Sequence, residues 1–335
     1  MSSCAHVLTR AVAHGLLAAL ALVALPGRAD DSPLSALARE RQFTRLEAVA
    51  RERLERLAPG AHDEAALWHL ARLGAVDVAR RQALIPRAQA CLQDLPESAL
   101  CHSALALLNS AAVVARGLEV ERSAVDALAQ LYTRAVELDP RNFELRRDLG
   151  HFYLLAPGLY GGSVNKALRN ARDYSAVDPS LAQVLRAQVH IYEKRWGLAE
   201  SILLGISPPP HDQTVAPAWR EAWRGLGFAR FFNGDAPAAQ RVFERLLAED
   251  PDDPVACLGQ GWALLEQRRV DPAIDWLERA LRIDPAINAH YRLGLAYEAR
   301  GETAKAAAML QEFLRYAPPG LAAADARRRL DELPG

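Results

Sequence analysis

The side chains able to do chemistry in this 335-residue chain are dispersed. His62, His69, His102, His151, His190, His211 and His290 are scattered along it, and none forms the i, i+4 pair with an acid that a helical zinc site uses. No Gly-x-Ser-x-Gly nucleophile turn is present. Glu47 with Glu52, and Asp252 with Asp253, read as solvated helix faces or turns rather than an acid–base couple. The one local motif that could cradle a charged group is APGLYGGSVNKA at 156–167. Pro157, Gly158, Gly161 and Gly162 enforce a turn, and Ser163 can cap the helix that follows. Backbone amides there, with Ser163 and Lys166, could also contact an anion. It is not a P-loop, because no Gly-Lys-Ser/Thr stands at the required spacing and no strand precedes it. An extended structural turn and a ligand contact are both compatible with these residues. No catalytic residue, metal or cofactor is assigned, and the chain reads as a non-enzyme.

The elements that must position any site come after a separate N-terminal segment. Arg10 precedes AVAHGLLAALALVALPGRAD, whose apolar run over 16–25 has the length of a signal-peptide core and is too short to span a bilayer. Pro26 breaks the run, and Gly27-Arg28-Ala29 places small residues around a cleavable bond. The expectation is a signal peptide over 1–29 and an exported mature chain, in the periplasm of a Gram-negative cell. Cys4 lies before the apolar run, so it is not a lipidation cysteine, and no later stretch is apolar for long enough to cross a membrane. The net charge of −1 gives no electrostatic basis for binding nucleic acid.

Export gives the cysteines meaning. In ACLQDLPESALCH, Cys91 and Cys101 stand symmetrically about Pro96. If one helix ends near Leu95 and the next starts at Ser98, the two face each other across a hairpin. They can form a disulfide, worth about 2–3 kcal/mol through loop closure, or pack as two small buried residues. Cys257 has no evident partner and reads as a reduced core residue.

Three stretches then repeat one pattern. GFARFFNGDAPAAQRVFERLLAEDP at 227–251 is followed by GWALLEQRRVDPAIDWLERALRIDP at 261–285 and GLAYEARGETAKAAAMLQEFLRYAP at 294–318. Superposition brings together Gly227, Gly261 and Gly294; Ala239, Ala273 and Ala306; Phe243, Leu277 and Leu310; and Pro251, Pro285 and Pro318, at spacings of 34 and 33 residues. Such a period signals stacked helix pairs. The glycine and alanine positions let paired helices approach, which offsets a helix-propensity cost of about 1 kcal/mol per glycine. Gly234 and Gly301 end first helices, Asp235 and Glu302 begin second ones, and Asp-Pro stops those.

These residues resemble the tetratricopeptide repeat (TPR) family over 220–318, with Trp223 as the family's aromatic. Arg268-Arg269 departs from the family's Gly-Asp turn. Earlier units are more divergent. One supplies Gly150, Tyr153, Ala167 and a closing Pro179 with a lengthened turn, and the next supplies Ala187, Trp196 and Ala199 before SPPPHDQTVAPAW. The resemblance implies an all-α, right-handed α-solenoid of about six or seven TPR-like helix pairs over 30–335. Its parts are divergent repeats over 30–140, repeats with inserted turns over 141–219, well-matched repeats over 220–318 and a capping helix over 319–335.

First helices of the family line a concave groove. That implies partner contacts at Arg147, His151, Val184, Gln188, Arg224, Phe228, Leu258, Trp262, Tyr291 and Leu295, although Phe228 and Trp262 read equally well as core between repeats. The Lys/Asn set with which chaperone-binding relatives hold a terminal carboxylate is absent. The implied function is a non-catalytic periplasmic scaffold for a protein or peptide. The alternative is an accessory protein with a small-molecule pocket at Gly161, Gly162, Ser163 and Lys166, similar to transport-associated periplasmic members.

Overall fold

A computed structural model describes residues 33–39, 42–74, 78–116, 121–156, 162–208, 212–317 and 320–333. The expected signal peptide lies outside these residues. Among them are seventeen α-helices. They are α1 Pro33–Arg39, α2 Phe43–Glu55, α3 Glu64–Gly74, α4 Val78–Asp94, α5 Ala99–Arg116, α6 Arg122–Leu138, α7 Phe143–Leu155, α8 Val164–Asp173 and α9 Pro179–Tyr192. Then follow α10 Trp196–Leu204, α11 Val215–Phe232, α12 Ala236–Glu249, α13 Pro254–Glu266, α14 Val270–Ile283, α15 His290–Arg300, α16 Thr303–Tyr316 and α17 Leu321–Glu332. The fold is an all-α solenoid of the TPR type, built from antiparallel pairs. The chain divides into two compact units, 1–221 and 222–335.

In the first unit, α1 and α2 cover the apolar end of the stack with Leu34, Leu37, Leu46, Ala50 and Leu54. The pairs α3–α4, α5–α6, α7–α8 and α9–α10 follow. Cys91 on α4 and Cys101 on α5 are joined by a disulfide, with Cα atoms 5.8 Å apart and a sequence separation of 10. Both are fully buried, so the bond fixes the α4–α5 hairpin inside the core. A loop of that length contributes about 2–3 kcal/mol by restricting the unfolded chain.

Capping residues set the registers. The Asn142 side chain accepts from the Glu144 and Leu145 amides, Asp235 from Ala238, and Asp253 from Val255 and Ala256. Asp250 and Asp284 end α12 and α14 in extended geometry, and Asp139 ends α6 at φ −133° and ψ 78°, each before proline. Pro179 differs from the sequence expectation of a closing proline. Helix α8 stops at Asp173, a 3₁₀ turn spans Tyr174–Ala176, and Pro179 opens α9 with Asp178 accepting from the Leu181 amide. The buried Tyr174 hydroxyl donates to the Arg141 carbonyl at 2.7 Å, which anchors this early turn. Proline at a first helical position leaves no bond unmade.

In the second unit, α11–α12, α13–α14 and α15–α16 pack as expected, and α17 closes the end. A Cβ on Gly261 would sit 2.7 Å from Leu277 Cγ and 3.0 Å from the Ala273 carbonyl oxygen. One on Gly294 would meet Leu310 at 2.9 Å, and one on Gly227 would meet the Phe243 ring at 2.8 Å. Gly259 presses the same ring from the neighbouring pair. Ala239, Ala273, Ala306, Phe243, Leu277 and Leu310 are all fully buried at these crossings.

Four inter-helix turns share one geometry. The amide of the second turn residue bonds back five residues: Arg195 to His190, Asp235 to Arg230, Arg269 to Leu264 and Glu302 to Tyr297, all at 2.9–3.0 Å. The preceding residue is left-handed each time: Lys194 at φ +60°, Gly234 at +87°, Arg268 at +60° and Gly301 at +81°. The turn at Arg268-Arg269 therefore forms without glycine, held by the packing on either side. A side chain in that conformation costs on the order of 1 kcal/mol. Arg268→Gly should stabilise the protein by about 0.5–1 kcal/mol in denaturant unfolding. An unchanged or lowered midpoint would contradict a strained turn.

Candidate functional site

The residues expected to face a partner fall into three groups. In the first unit, Arg147 is 2% exposed and Val184 is fully enclosed, which removes both from an accessible wall, while His151 and Gln188 are half-buried. In the second unit, Arg224 is also buried, whereas Phe228, Leu258, Trp262, Tyr291 and Leu295 remain partly exposed.

Arg147 is enclosed because acids from its own helix and from α11 reach it. Its guanidinium lies 2.5 Å from Glu144 and 3.0 Å from Glu221. Arg72 on α3 joins the same cluster, 2.7 Å from Glu144 and 3.2 Å from Asp148, with its guanidinium 4.8 Å over the Trp68 ring. Three carboxylates thus face two guanidinium groups in the interior. Burial is the largest influence: it pushes Glu144 well above the usual carboxylate range and Asp148 up to about 6. Burial and the neighbouring Arg72 charge bring His151 down to about 4, so its imidazole is neutral near pH 7. Within the first unit, which ends at Glu221, the cluster ties α3 and α7 to the opening residues of α11 and is enclosed. Arg224 behaves likewise: its Nε donates to Asp253 Oδ2 at 2.8 Å, while Asp253 Oδ1 caps α13.

The glycine turn is partly described, since Gly161, Pro157 and Gly158 lie outside the described residues. Gly162 is obligatory, because a Cβ there would overlap the Ala156 carbonyl, 1.7 Å away. The Ser163 amide donates to the Tyr153 carbonyl at 2.7 Å, and its hydroxyl oxygen accepts from the Lys166 amide. The Lys166 ammonium lies 5.6 Å from the Tyr153 ring centroid. These polar groups are engaged in forming the turn.

The second unit carries the arrangement best suited to contact another molecule. Phe228, Phe231 and Phe232 occupy the last turns of α11, and each ring meets Trp262 on α13, at centroid distances of 6.4, 4.5 and 5.5 Å. Phe232 is 37% exposed. The Arg292 guanidinium on α15 lies 3.8 Å over the Trp262 ring and 4.9 Å from the Tyr291 ring. Burial lowers its pKa from the ordinary arginine value. First helices of three successive pairs therefore meet through one half-exposed aromatic patch topped by a cation. The sequence reading included Phe228, Trp262 and Tyr291 but missed Phe231, Phe232 and Arg292. The i, i+3, i+4 spacing of the three phenylalanines was the available signal, because it places them on one helix face.

Two tetratricopeptide repeat family models match the chain, one over residues 221–286 and the other over 288–319. No curated protein matches it. Among solved structures, yeast Tom70 aligns with a TM-score of 0.61 at 13% identity, covering 89% of this chain and 60% of that one, a likeness of fold. The Cut9–Hcn1 hetero-tetramer of the APC/C aligns at 0.46 with 17% identity over 89% and 54% of the two chains. PilF of Pseudomonas aeruginosa aligns at 0.40 with 16% identity over 79% and 97%. These two are too distant to bear on the argument. The chain spans 60% and 54% of the lengths of the first two.

The neutral His151 has a pH signature. A histidine whose folded pKa lies below its unfolded value gives stability that is present above about 6.5 and lost as pH falls towards 4. In His151→Gln that loss disappears, so the stability gap between wild type and variant should move by roughly 1–3 kcal/mol in the variant's favour between pH 7 and 4. Unfolding curves at both pH values read it, and a constant gap would contradict a desolvated, neutral imidazole.

Proposed function

We propose that this tetratricopeptide repeat protein is a non-catalytic scaffold of the periplasm that holds a protein or peptide partner against the first helices of its repeats. Repeats of this kind suggest a protein–protein interaction scaffold. The observation that carries the reading is the half-exposed aromatic patch of Phe228, Phe231, Phe232 and Trp262. Large amphipathic rings held rigid by their neighbours give contact area at low entropic cost and recur where interfaces concentrate their energy. Leu258, Tyr291 and Leu295, also half-buried, extend the surface on α13 and α15.

Two features support the remaining parts. The Cys91–Cys101 disulfide suits an oxidising compartment, and no described helix is long and apolar enough to cross a membrane. The buried acids and bases of the first unit neutralise one another rather than face the surface. Ser163 and Lys166 serve the turn that contains them, which gives the small-molecule alternative no specific support.

Cross-linked pull-down from envelope extracts tests the proposal. A partner captured by wild type should be lost with Phe232→Ala and with Trp262→Ala, while circular dichroism melts show both variants folded. Capture of the same proteins by wild type and both variants would contradict this surface as the docking site.

A further inference from the structure

Resting on that reading, we propose that the occupant of the aromatic patch is an acidic peptide segment: a carboxylate docks on Arg292 while an adjacent apolar side chain rests on Phe232 and Trp262. The Arg292 guanidinium sits 3.8 Å over the Trp262 ring and also hydrogen-bonds the Tyr291 hydroxyl, which fixes it while its remaining N–H groups can meet a carboxylate. No carboxylate forms an ion pair with it among the described residues. Asp325 and Glu266 are within electrostatic range, yet neither closes on it. Asp325 is already engaged: the Tyr291 hydroxyl donates to it at 2.7 Å, and Arg329 and Arg328 lie at 2.6 and 2.5 Å. The Arg329 guanidinium also holds Glu298 at 2.8 Å.

This contrasts with the two arginines buried on first helices, Arg147 and Arg224, whose charges are answered by Glu144, Glu221 and Asp253. Arg292 is partly exposed, partly desolvated and answered by aromatic faces. An arginine in that state gains most from a carboxylate brought by another molecule, since a charge-assisted pair strengthens as water leaves. The Trp262 indole N–H beneath it is enclosed and lacks an acceptor among the described residues, so Arg292 is the donor of the patch that an incoming acid can reach. Phe232, a turn of helix away from Phe228 and against Trp262, supplies the apolar shelf beside the cation. The complementary ligand is therefore acidic and apolar within a few residues, and a basic segment is disfavoured.

Panning a random-peptide display library against the full mature chain tests this. Selected peptides should carry Asp or Glu near Leu, Phe or Trp. Replacing that acid by its amide should weaken binding about tenfold or more, the scale of one charge-assisted hydrogen-bonded pair. Arg292→Gln should bind acid and amide versions alike, Arg292→Lys should retain a preference for the acid, and Phe232→Ala should weaken both versions. Selected peptides without acids, or an acid preference that survives Arg292→Gln, would overturn the carboxylate assignment and leave the docking surface standing. If no selected peptide loses affinity in Phe232→Ala or Trp262→Ala, both the inference and the reading beneath it fail.

Discussion

Close approach of helix backbones is the constraint on which the second unit is built. Gly227, Gly261 and Gly294 lie where a single methyl group would collide with Phe243, Leu277 or Leu310. Glycine inside a helix is unfavourable by about 1 kcal/mol relative to alanine. Here the absent side chain makes room for a fully buried Phe or Leu, whose removal from water contributes about 1.5–3 kcal/mol. Phe243 shows the economy of the arrangement, since Gly227 of its own pair and Gly259 of the next both press on the Cε1–Cζ edge of one ring. The same contact closes a repeat and joins it to its neighbour. Because successive first helices are held at this distance, Phe228, Phe231, Phe232, Trp262 and Arg292 converge although they come from three helices.

Charge is handled differently in the two units. In the first, Arg72, Glu144, Arg147, Asp148 and Glu221 form an enclosed network across three helices. Such networks need not stabilise relative to an apolar core, but removing one member strands the others and is costly. In the second, one buried pair, Arg224 with Asp253, links α11 to the start of α13, and Asp253 also caps that helix. Arg292 lies over an aromatic ring instead of meeting an acid. That difference separates a side chain that holds the fold from one suited to meet a partner.

The helix pairs, the disulfide geometry about Pro96 and the crossing glycines were legible because each rests on local spacing. The turn at Lys194 and Arg268 was less so, since long basic residues occupy a conformation that sequence reasoning reserves for glycine. Arg147 and Arg224 were placed on the accessible wall for a related reason. Their helical positions are visible in the sequence, but the acids that cover them, Glu221 and Asp253, come from 74 and 29 residues away. Val184 was placed there from its helical position on α9, and its complete enclosure depends on neighbours from other helices. Phe231 and Phe232 passed as ordinary repeat residues because apolar character alone does not distinguish a packed ring from a half-exposed one.

A double-mutant cycle at Gly261 and Leu277 tests the central constraint most directly. The account predicts that Gly261→Ala destabilises by about 1–3 kcal/mol, despite alanine's better helix propensity. In a Leu277→Ala background the colliding side chain is gone and only the 3.0 Å approach to the Ala273 carbonyl remains, so the penalty should shrink and the two changes should be non-additive. Gly261→Ala that leaves stability unchanged or raises it would contradict the claim that this crossing requires glycine, and a penalty of equal size in both backgrounds would contradict the assignment of the collision to Leu277.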